Sequence, residues 1–552
     1  MGAMRDLVPL PRSLEELPGA LDLSRGGLVA AAPGLEPQGR LAAAWLAEAL
    51  GRPFQSAVGA DAGSARARDG AAGGQAAEPA ADRAGFDRAA GAAAPAEPPL
   101  VELRLDAALS GPEDYVLTIG PGGAAVAASS PEGAVRGLST LRQLALSEGP
   151  VIRSLKIEDG PRFPWRGLML DCARSFFRVE FIERLLDLAA LHKLNVFHWH
   201  LTDDQAWRLD LPGLPELAAA GSRRRDSRIH GVAWREGSYS AADARRVVAY
   251  AAERGIMVVP EIETPGHAIA LLSSHPELSC AGAAAGGLPF LPEDRFGVFE
   301  DILCAGNEEV FALLGKVFDG LAGLFPGPFV HVGGDEAPKA RWLLCPKCRS
   351  VMKARNLRGP GGELDPERLQ SWFMGRVAAL LAERGKRMVG WDEILEGGVA
   401  GPGGEGVPRD AVAMSWRGYS GGAEGARAGL EVVMCPQTKA CYLDHKHLDL
   451  PEEPGNLGVC TVRDSYAFEP LPAGLSPEEA ALVKGGQANL WTEMVYFGRQ
   501  AEYLLFPRLA ALSEALWSPK EARCFEDFAR RLPSHGRRLD ALGVNRYRGP
   551  LF

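Results

Sequence analysis

At 552 residues the chain is too long for one ordinary domain and calls for two or three units. Hydrophobic residues make up 46% of it and charged residues 24%, the balance of a globular protein and not of a disordered or fibrous one. A formal net charge of −10, with no basic block beyond Arg223-Arg224-Arg225, argues against a nucleic-acid partner; no apolar run approaches the roughly 20 residues of a membrane helix.

The opening Met1-Gly2-Ala3-Met4 carries no secretory leader, although Gly2-Ala3-Met4 resembles a cloning remnant behind which a leader could have been lost. Nine scattered cysteines do not form a disulfide framework. Both points tilt the expectation toward a reducing, cytoplasmic compartment. Oligomeric state is not legible.

Residues 1–160 read as a small α/β domain. Alternating runs at 101–105 and 115–119 predict strands, and Gly120-Pro121-Gly122-Gly123 turns into a third at 124–128. Residues 131–144 carry Val135, Leu138, Leu141 and Leu144 at helical spacing. Between about 56 and 98 the composition collapses to Ala, Gly, Asp and Pro, read as a mobile insertion without a core.

From residue 161 to 520 short β-rich runs alternate with amphipathic helices. Strands are expected at 167–171, 195–200, 257–261, 329–333, 388–391, 411–416, 432–435 and 487–491. Helices are expected at 180–192, 241–253, 366–383 and 501–516. Eight such units predict a (β/α)8 TIM-type barrel, with its site at the C-terminal ends of the strands. Residues 521–552 read as a helical extension packed on that barrel. Asp171, His198, His200, Glu261, His331, Asp335, Glu336, Trp391 and Trp416 all fall at or just past a strand end, which stability alone does not explain.

Four motifs carry chemistry. In Phe329-Val330-His331-Val332-Gly333-Gly334-Asp335-Glu336 a buried strand runs through two glycines into adjacent carboxylates. Such neighbours cannot both ionise cheaply in a desolvated pocket, so one can remain a general acid while the other stays an anion, as glycosidic cleavage requires. The plainer alternative is a surface Asp-Glu pair at a loop start. His198-Trp199-His200 is also how some metal hydrolases hold a first metal, but no later strand offers an obvious further pair of histidines. The following Asp203-Asp204-Gln205 suits sugar hydroxyls. Pro265-Gly266 is a rigid turn that aims His267 at the cleft, against the bland reading of a structural histidine. Trp391, Trp416, Trp491 and Tyr442 could be ordinary core aromatics, but together they suit stacking on a pyranose and boxing an acetamido methyl.

Cys345-Pro346-Lys347-Cys348 could begin a zinc ribbon or a redox pair. No second Cys-x-x-Cys follows, so it is read as a loop with two ordinary thiols. The glycine-rich residues 401–406 lack a P-loop lysine.

From Arg166 to Trp517 the chain resembles the family-20 glycoside hydrolases, the β-N-acetylhexosaminidases. The markers are residues 166–174, 194–205, 260–267 and 331–336, then Gly390-Trp391-Asp392-Glu393, Tyr442-Leu443-Asp444 and residues 487–493. The preceding α/β domain is similar to one that many members carry. The resemblance implies exo-acting, retaining hydrolysis of terminal β-linked N-acetylglucosamine or N-acetylgalactosamine, with the substrate's acetamido group as nucleophile and an oxazolinium intermediate. It implies Glu336 as general acid and then base, Asp335 orienting the acetamido nitrogen, and Tyr442 bonding the acetamido oxygen. It implies Arg174 and Asp203 on ring hydroxyls, Glu493 at the far edge, Trp391, Trp416 and Trp491 as pocket walls, and Asp444 and His267 in support. His331 would back the carboxylates. The expected partner is a glycan, with no metal and no organic cofactor.

Adjacent carboxylates on one loop cannot flank a sugar from opposite faces, which agrees with an internal nucleophile. Ala206, where glycine is common, and Cys172 depart from the family pattern without touching a proposed role. Three other readings stay open: disaccharide release in the manner of a lacto-N-biosidase, a non-catalytic glycan-binding protein, and a metal-dependent amidohydrolase resting on His198 and His200.

Overall fold

A computed structural model of the chain describes residues 6–58, 100–226, 233–280, 290–400, 404–438 and 440–551. The expected Ala/Gly-rich insertion lies almost wholly outside the described residues. The chain divides into two compact units, one reaching Gly160 and the other running from Pro161 to the C-terminus and taking in Val8–Leu10.

The first unit is a mixed seven-stranded sheet in the order β1-β7-β5-β6-β4-β2-β3. Its strands are β1 (Ser13–Asp22), β2 (Gly27–Ala31), β3 (Phe54–Val58), β4 (Leu100–Leu105), β5 (Tyr115–Gly120), β6 (Gly123–Ala128) and β7 (Val151–Asp159). Helix α1 spans Glu36–Leu50 and α2 spans Pro131–Glu148. Helix α2 starts where its chemistry dictates: Ser130 accepts the Gly133 N–H and Pro131 fills the first turn. Val135, Leu138, Leu141 and Leu144 form its buried face.

The second unit is a closed barrel of eight parallel strands: β8 (Trp165–Asp171), β9 (Val196–His200), β10 (Met257–Thr264), β11 (Phe329–Gly333), β12 (Arg387–Trp391), β13 (Val412–Ser415), β14 (Glu431–Met434) and β15 (Val483–Leu490). Every residue of β8 and β9 is buried, as parallel strands covered on both faces require. That is why they read in sequence as short apolar runs without alternation. Strand register sets the level of the site. Asp171 pairs with His200, His200 with Glu261, and Glu261 with His331, so four adjacent strands bring polar residues to one height near their C-terminal ends.

Helices α3 (Val179–Leu191), α4 (Ala241–Glu253), α5 (Glu308–Leu324) and α6 (Pro366–Ala382) intervene between strands. The helix expected at 501–516 is instead two, Gly498–Leu505 and Arg508–Trp517. Pro507 has no N–H to continue the first, and Phe506 before it is extended. The C-terminal helix Phe525–Ala541 packs on this unit through a buried Arg531–Glu514 pair at 2.6 Å and a 2.9 Å contact between the His535 and His192 rings. Among the described residues no helix is long and apolar enough to cross a membrane.

Candidate active site

Loops after seven of the eight strands, or the strand ends themselves, converge on a cavity of about 280 Å³. Arg174, His267, Asp335, Glu336, Trp391, Trp416, Tyr442, Asp444, Trp491 and Glu493 all line it. Each was singled out from sequence, over a span of some three hundred residues.

The carboxylate pair is held by backbone that only glycine permits. Gly333 and Gly334 have φ of +68° and +99°. A Cβ on Gly333 would lie 1.7 Å from Glu263 Oε2, and one on Gly334 would lie 2.6 Å from Ile394 Cγ2. Gln370 clamps the turn by donating from Nε2 to the Gly334 carbonyl at 2.6 Å. Glu336 itself sits at φ +45°, a costly conformation for a residue with a Cβ and one that tends to mark functional positions. Gly333→Ala should therefore lower stability by about 2–3 kcal/mol and abolish activity. Urea unfolding checks this, and a loss under about 1 kcal/mol would mean that Glu263 yields freely.

His267 Nε2 lies 3.6 Å from Asp335 Oδ2 and 3.4 Å from Glu336 Oε2. On its other side Nδ1 is bonded to Asp204 at 2.9 Å and lies 3.3 Å from Asp203. Burial works against its charge, but the surrounding carboxylates win, and its pKa is raised well above the usual histidine value. This imidazolium treats its two neighbours differently. Its hydrogen bond to the partly exposed Glu336 lowers that carboxyl's pKa. Asp335 is more deeply buried, and desolvation outweighs His267, pushing it up to about 6. Asp335 lines the cavity, and its buried Oδ1 has no hydrogen-bond partner among the described residues.

Arg174 is presented by Asp171, whose Oδ1 accepts the N–H groups of Ala173 and Arg174 at 2.9 and 3.0 Å, while Oδ2 accepts that of Thr492. The guanidinium then bonds Asp203 at 2.8 Å and Gln205 at 2.8 Å and lies 5.2 Å from the centre of the Trp491 ring. Tyr442 is brought in by a strap: Leu443 N–H donates to the Asn489 carbonyl and Asn489 N–H to the Cys441 carbonyl, both at 2.8 Å. Its ring stacks on Trp416 at 6.4 Å and meets Trp491 at 6.3 Å. Trp416 is oriented by donating Nε1–H to Glu393 at 2.9 Å. Burial, with Asp335 and Asp392 near, lifts the Glu393 carboxyl to about 9. Asp444 is pushed up to about 8 by burial and by Glu493.

Two expectations change. Asp203, Asp204 and Gln205 do not face the cavity; all three are buried, in a tight hairpin that pairs Thr202–Asp203 with Ala206–Trp207. Their polar groups are consumed by Arg174, His200, His267 and the Ile269 N–H, so they position the groups that line the cavity and lie behind its wall. Among the described residues His331 makes no hydrogen bond or ion pair with Asp335 or Glu336. Its Nδ1 lies 2.6 Å from Glu261 Oε1, and its ring sits 4.7 Å from that of Trp391. The reason is register, which sets His331 beside Glu261 in the strand layer below the loop.

Glu261 also explains His198 and His200. Burial penalises its charge, but His331, His200 and His198 surround it and hold its carboxyl well below the usual range. His200 bonds Glu261 through Nδ1 and Asp203 through Nε2, which overcomes burial and raises it to about 10. Both ring nitrogens of this histidine are thus taken up by carboxylates in a buried ion network.

Gln437, His445 and Asn456 also line the cavity and were not anticipated. They sit on the long connection between β14 and β15, where no hydrophobic period marks a position. Only the closeness of His445 to Tyr442-Leu443-Asp444 hinted at one of them.

The model of glycosyl hydrolase family 20, catalytic domain, matches residues 163–520. The chain belongs to that family. Residues 4–160 match the family's domain 2. A beta-hexosaminidase of Porphyromonas gingivalis is 39% identical over 80% of this chain, which spans 55% of that protein. One from Akkermansia muciniphila is 35% identical over 76% of this chain and 82% of its own. Among solved structures, a GH20 exo beta-N-acetylglucosaminidase of Vibrio harveyi in complex with N-acetylglucosamine has a TM-score of 0.80 at 28% identity, covering 99% of this chain and 79% of that one. The Streptomyces coelicolor GH20 beta-N-acetylhexosaminidase has a TM-score of 0.77 at 29% identity, covering 99% and 98%.

Proposed function

We propose that this family-20 glycoside hydrolase removes single terminal β-linked N-acetylhexosamine residues with retention, using the substrate's acetamido oxygen as the nucleophile. One observation carries the reading: Asp335, whose buried Oδ1 has no hydrogen-bond partner among the described residues, lines the cavity together with Glu336, Tyr442, Trp416 and Trp491. An acetamido N–H satisfies Asp335, its carbonyl oxygen meets the Tyr442 hydroxyl, and its methyl meets the aromatic wall. That oxygen attacks C1 as the glycosidic C1–O bond breaks and Glu336 gives its proton to the leaving oxygen. Glu336 then takes a proton from the water that opens the oxazolinium at C1. At about 280 Å³ the cavity is at the small end of ligand pockets, which suits one sugar ring and disfavours disaccharide release.

The test compares 4-nitrophenyl N-acetyl-β-glucosaminide and its galacto epimer with 4-nitrophenyl β-glucoside. An acetamido substrate should turn over at least about 10³-fold faster, since an intramolecular nucleophile can supply several kcal/mol. Equal rates with and without the acetamide would sink the mechanism. No turnover of any would favour a glycan-binding role.

The pair's electrostatics predict the pH profile. In the free protein the last shared proton resides mainly on Asp335, lost near pH 6, while Glu336 is the more acidic group. Productive substrate needs that proton on Glu336. Binding favours the transfer, because the aglycone strips water from Glu336 while the acetamido N–H stabilises charged Asp335. Above about pH 6 the pair has no proton to give, so kcat/KM falls as pH rises through that value. In Asp335→Asn the proton can reside only on the more acidic Glu336, and the alkaline limb moves to lower pH. A limb that stays in place belongs to some other group.

A further inference from the structure

Outside the cavity, four cysteines from three chain segments meet. Cys345 and Cys348 flank the start of the short helix Pro346–Ala354, Cys304 precedes α5, and Cys280 follows the turn Pro276–Leu278. Cys304 Sγ lies 3.7 Å from Cys345 Sγ and 3.6 Å from Cys348 Sγ, and Cys280 Sγ lies 3.7 Å from Cys348 Sγ. All four sulfurs fall within 4.8 Å of one another. Disulfide sulfurs would be about 2.05 Å apart. Four thiolates at about 2.3 Å from a central zinc ion, at the corners of a tetrahedron, would be about 3.8 Å apart.

The surrounding backbone is built to the same end. Gly306 packs so tightly on the Cys345–Cys348 turn that a Cβ there would lie 2.3 Å from the Lys347 carbonyl carbon and 2.5 Å from the Cys348 nitrogen. Ser279 and Leu303 form an antiparallel bridge, Cys304 N–H donates to the Leu278 carbonyl at 2.8 Å, and Trp342 Nε1–H donates to the Leu303 carbonyl at 3.0 Å.

We propose that Cys280, Cys304, Cys345 and Cys348 hold a structural zinc ion in a closed four-thiolate site. The ion clips the loop after β10 to the loop after β11. Its reach toward the cavity runs through Leu303, whose N–H donates to the Pro265 carbonyl at 2.9 Å, two residues before His267. With all four ligands from the protein, no position is open for substrate or water, so the site holds loops in place and takes no part in bond cleavage. The Cys-x-x-Cys pair looked solitary because its partners lie upstream, 41 and 65 positions before Cys345 by residue number, with no second Cys-x-x-Cys to announce them.

Elemental analysis of the full chain, purified under reducing conditions without added metal or chelator, should find about one zinc per chain. Cys304→Ser and Cys348→Ser should lose at least about nine-tenths of it, while Cys524→Ser, at an exposed thiol, keeps it. If those variants do not fold, the wild type still decides. A mercurial should release its zinc in step with four thiols, and the protein recharged with Co(II) should show the strong visible bands and sulfur-to-metal charge transfer of tetrahedral thiolate. Reduced wild type that neither carries zinc nor binds Co(II) overturns the proposal. So does iron in place of zinc, or a disulfide among the four cysteines in unreduced peptide maps. Because these readouts are independent of sugar cleavage, a failed hexosaminidase assay leaves the metal result intact.

Discussion

Glu336→Gln is expected to lower kcat on aryl N-acetyl-β-glucosaminides by about 10³-fold, within the range that one general acid supplies. The amide keeps the side chain's size and its neutral hydrogen bonding but has no proton to give. The loss should shrink with aryl leaving groups of low pKa, which depart without protonation in the first step, and steady-state rates across such a series check this. Glu336 is partly exposed, and the buried charge it faces, His267 at 3.4 Å, is also held by Asp203 and Asp204, so the unfolding midpoint should fall by no more than a few degrees. Near-normal turnover in the variant would remove Glu336 from the mechanism. A matching loss of folded protein would make the rate uninformative, and the leaving-group series would then decide, because a folding defect lowers every substrate equally.

Asp335→Asn should cost about 10²–10³-fold in kcat on acetamido substrates, the scale on which one preorganised charge partner acts in a desolvated site. The carboxylate does two things that an amide cannot. It accepts the acetamido N–H with full charge, and it offsets the positive charge that develops on the oxazolinium. KM should change far less than kcat, because the charge appears only as the C1–O bond breaks. Substrates carrying a trifluoroacetamide, a poorer nucleophile, should already be slow in the wild type and lose less on substitution. An equal loss on both would place Asp335 in binding and not in stabilising charge. The variant should also be no less stable than the wild type. Desolvation by burial, with Glu261, Glu336 and Asp203 as like charges near it, raises the Asp335 pKa, and a neutral amide avoids that cost above about pH 6. The sign is that of a carboxyl whose folded pKa is raised: its ionised form is disfavoured in the folded state.

The barrel was readable because parallel strands covered on both faces must be apolar runs, and eight such runs separated by amphipathic helices leave few other architectures. The residues around the cavity were readable for a related reason. Asp335, Glu336, Trp391, Trp416 and Trp491 sit at or just past strand ends, so the periodicity that located the strands also located them. Gly333-Gly334 announced a close approach of backbone, and the Glu263 carboxyl lies where a side chain would have to go.

Other features had no such marker. Which face of the hairpin at 202–207 turns inward depends on its register, and a one-residue difference decides whether Asp203 meets sugar or Arg174. Gln437, His445 and Asn456 lie on a connection without period, placed by contacts made far along the chain.

The sequence by itself determined the barrel, the order of its strands along the chain and those residues of its mouth that sit at strand ends, because these follow from local periodicity and from the geometry of strand ends. Only the tertiary structure decided which of two adjacent carboxyls carries the proton, since that depends on His267, Glu261 and unequal burial at Asp335 and Glu336. It alone brought Cys280 and Cys304 to Cys345 and Cys348. A pKa and a set of ligands both depend on distances in space, and spacing along a chain does not contain those distances until the chain has folded.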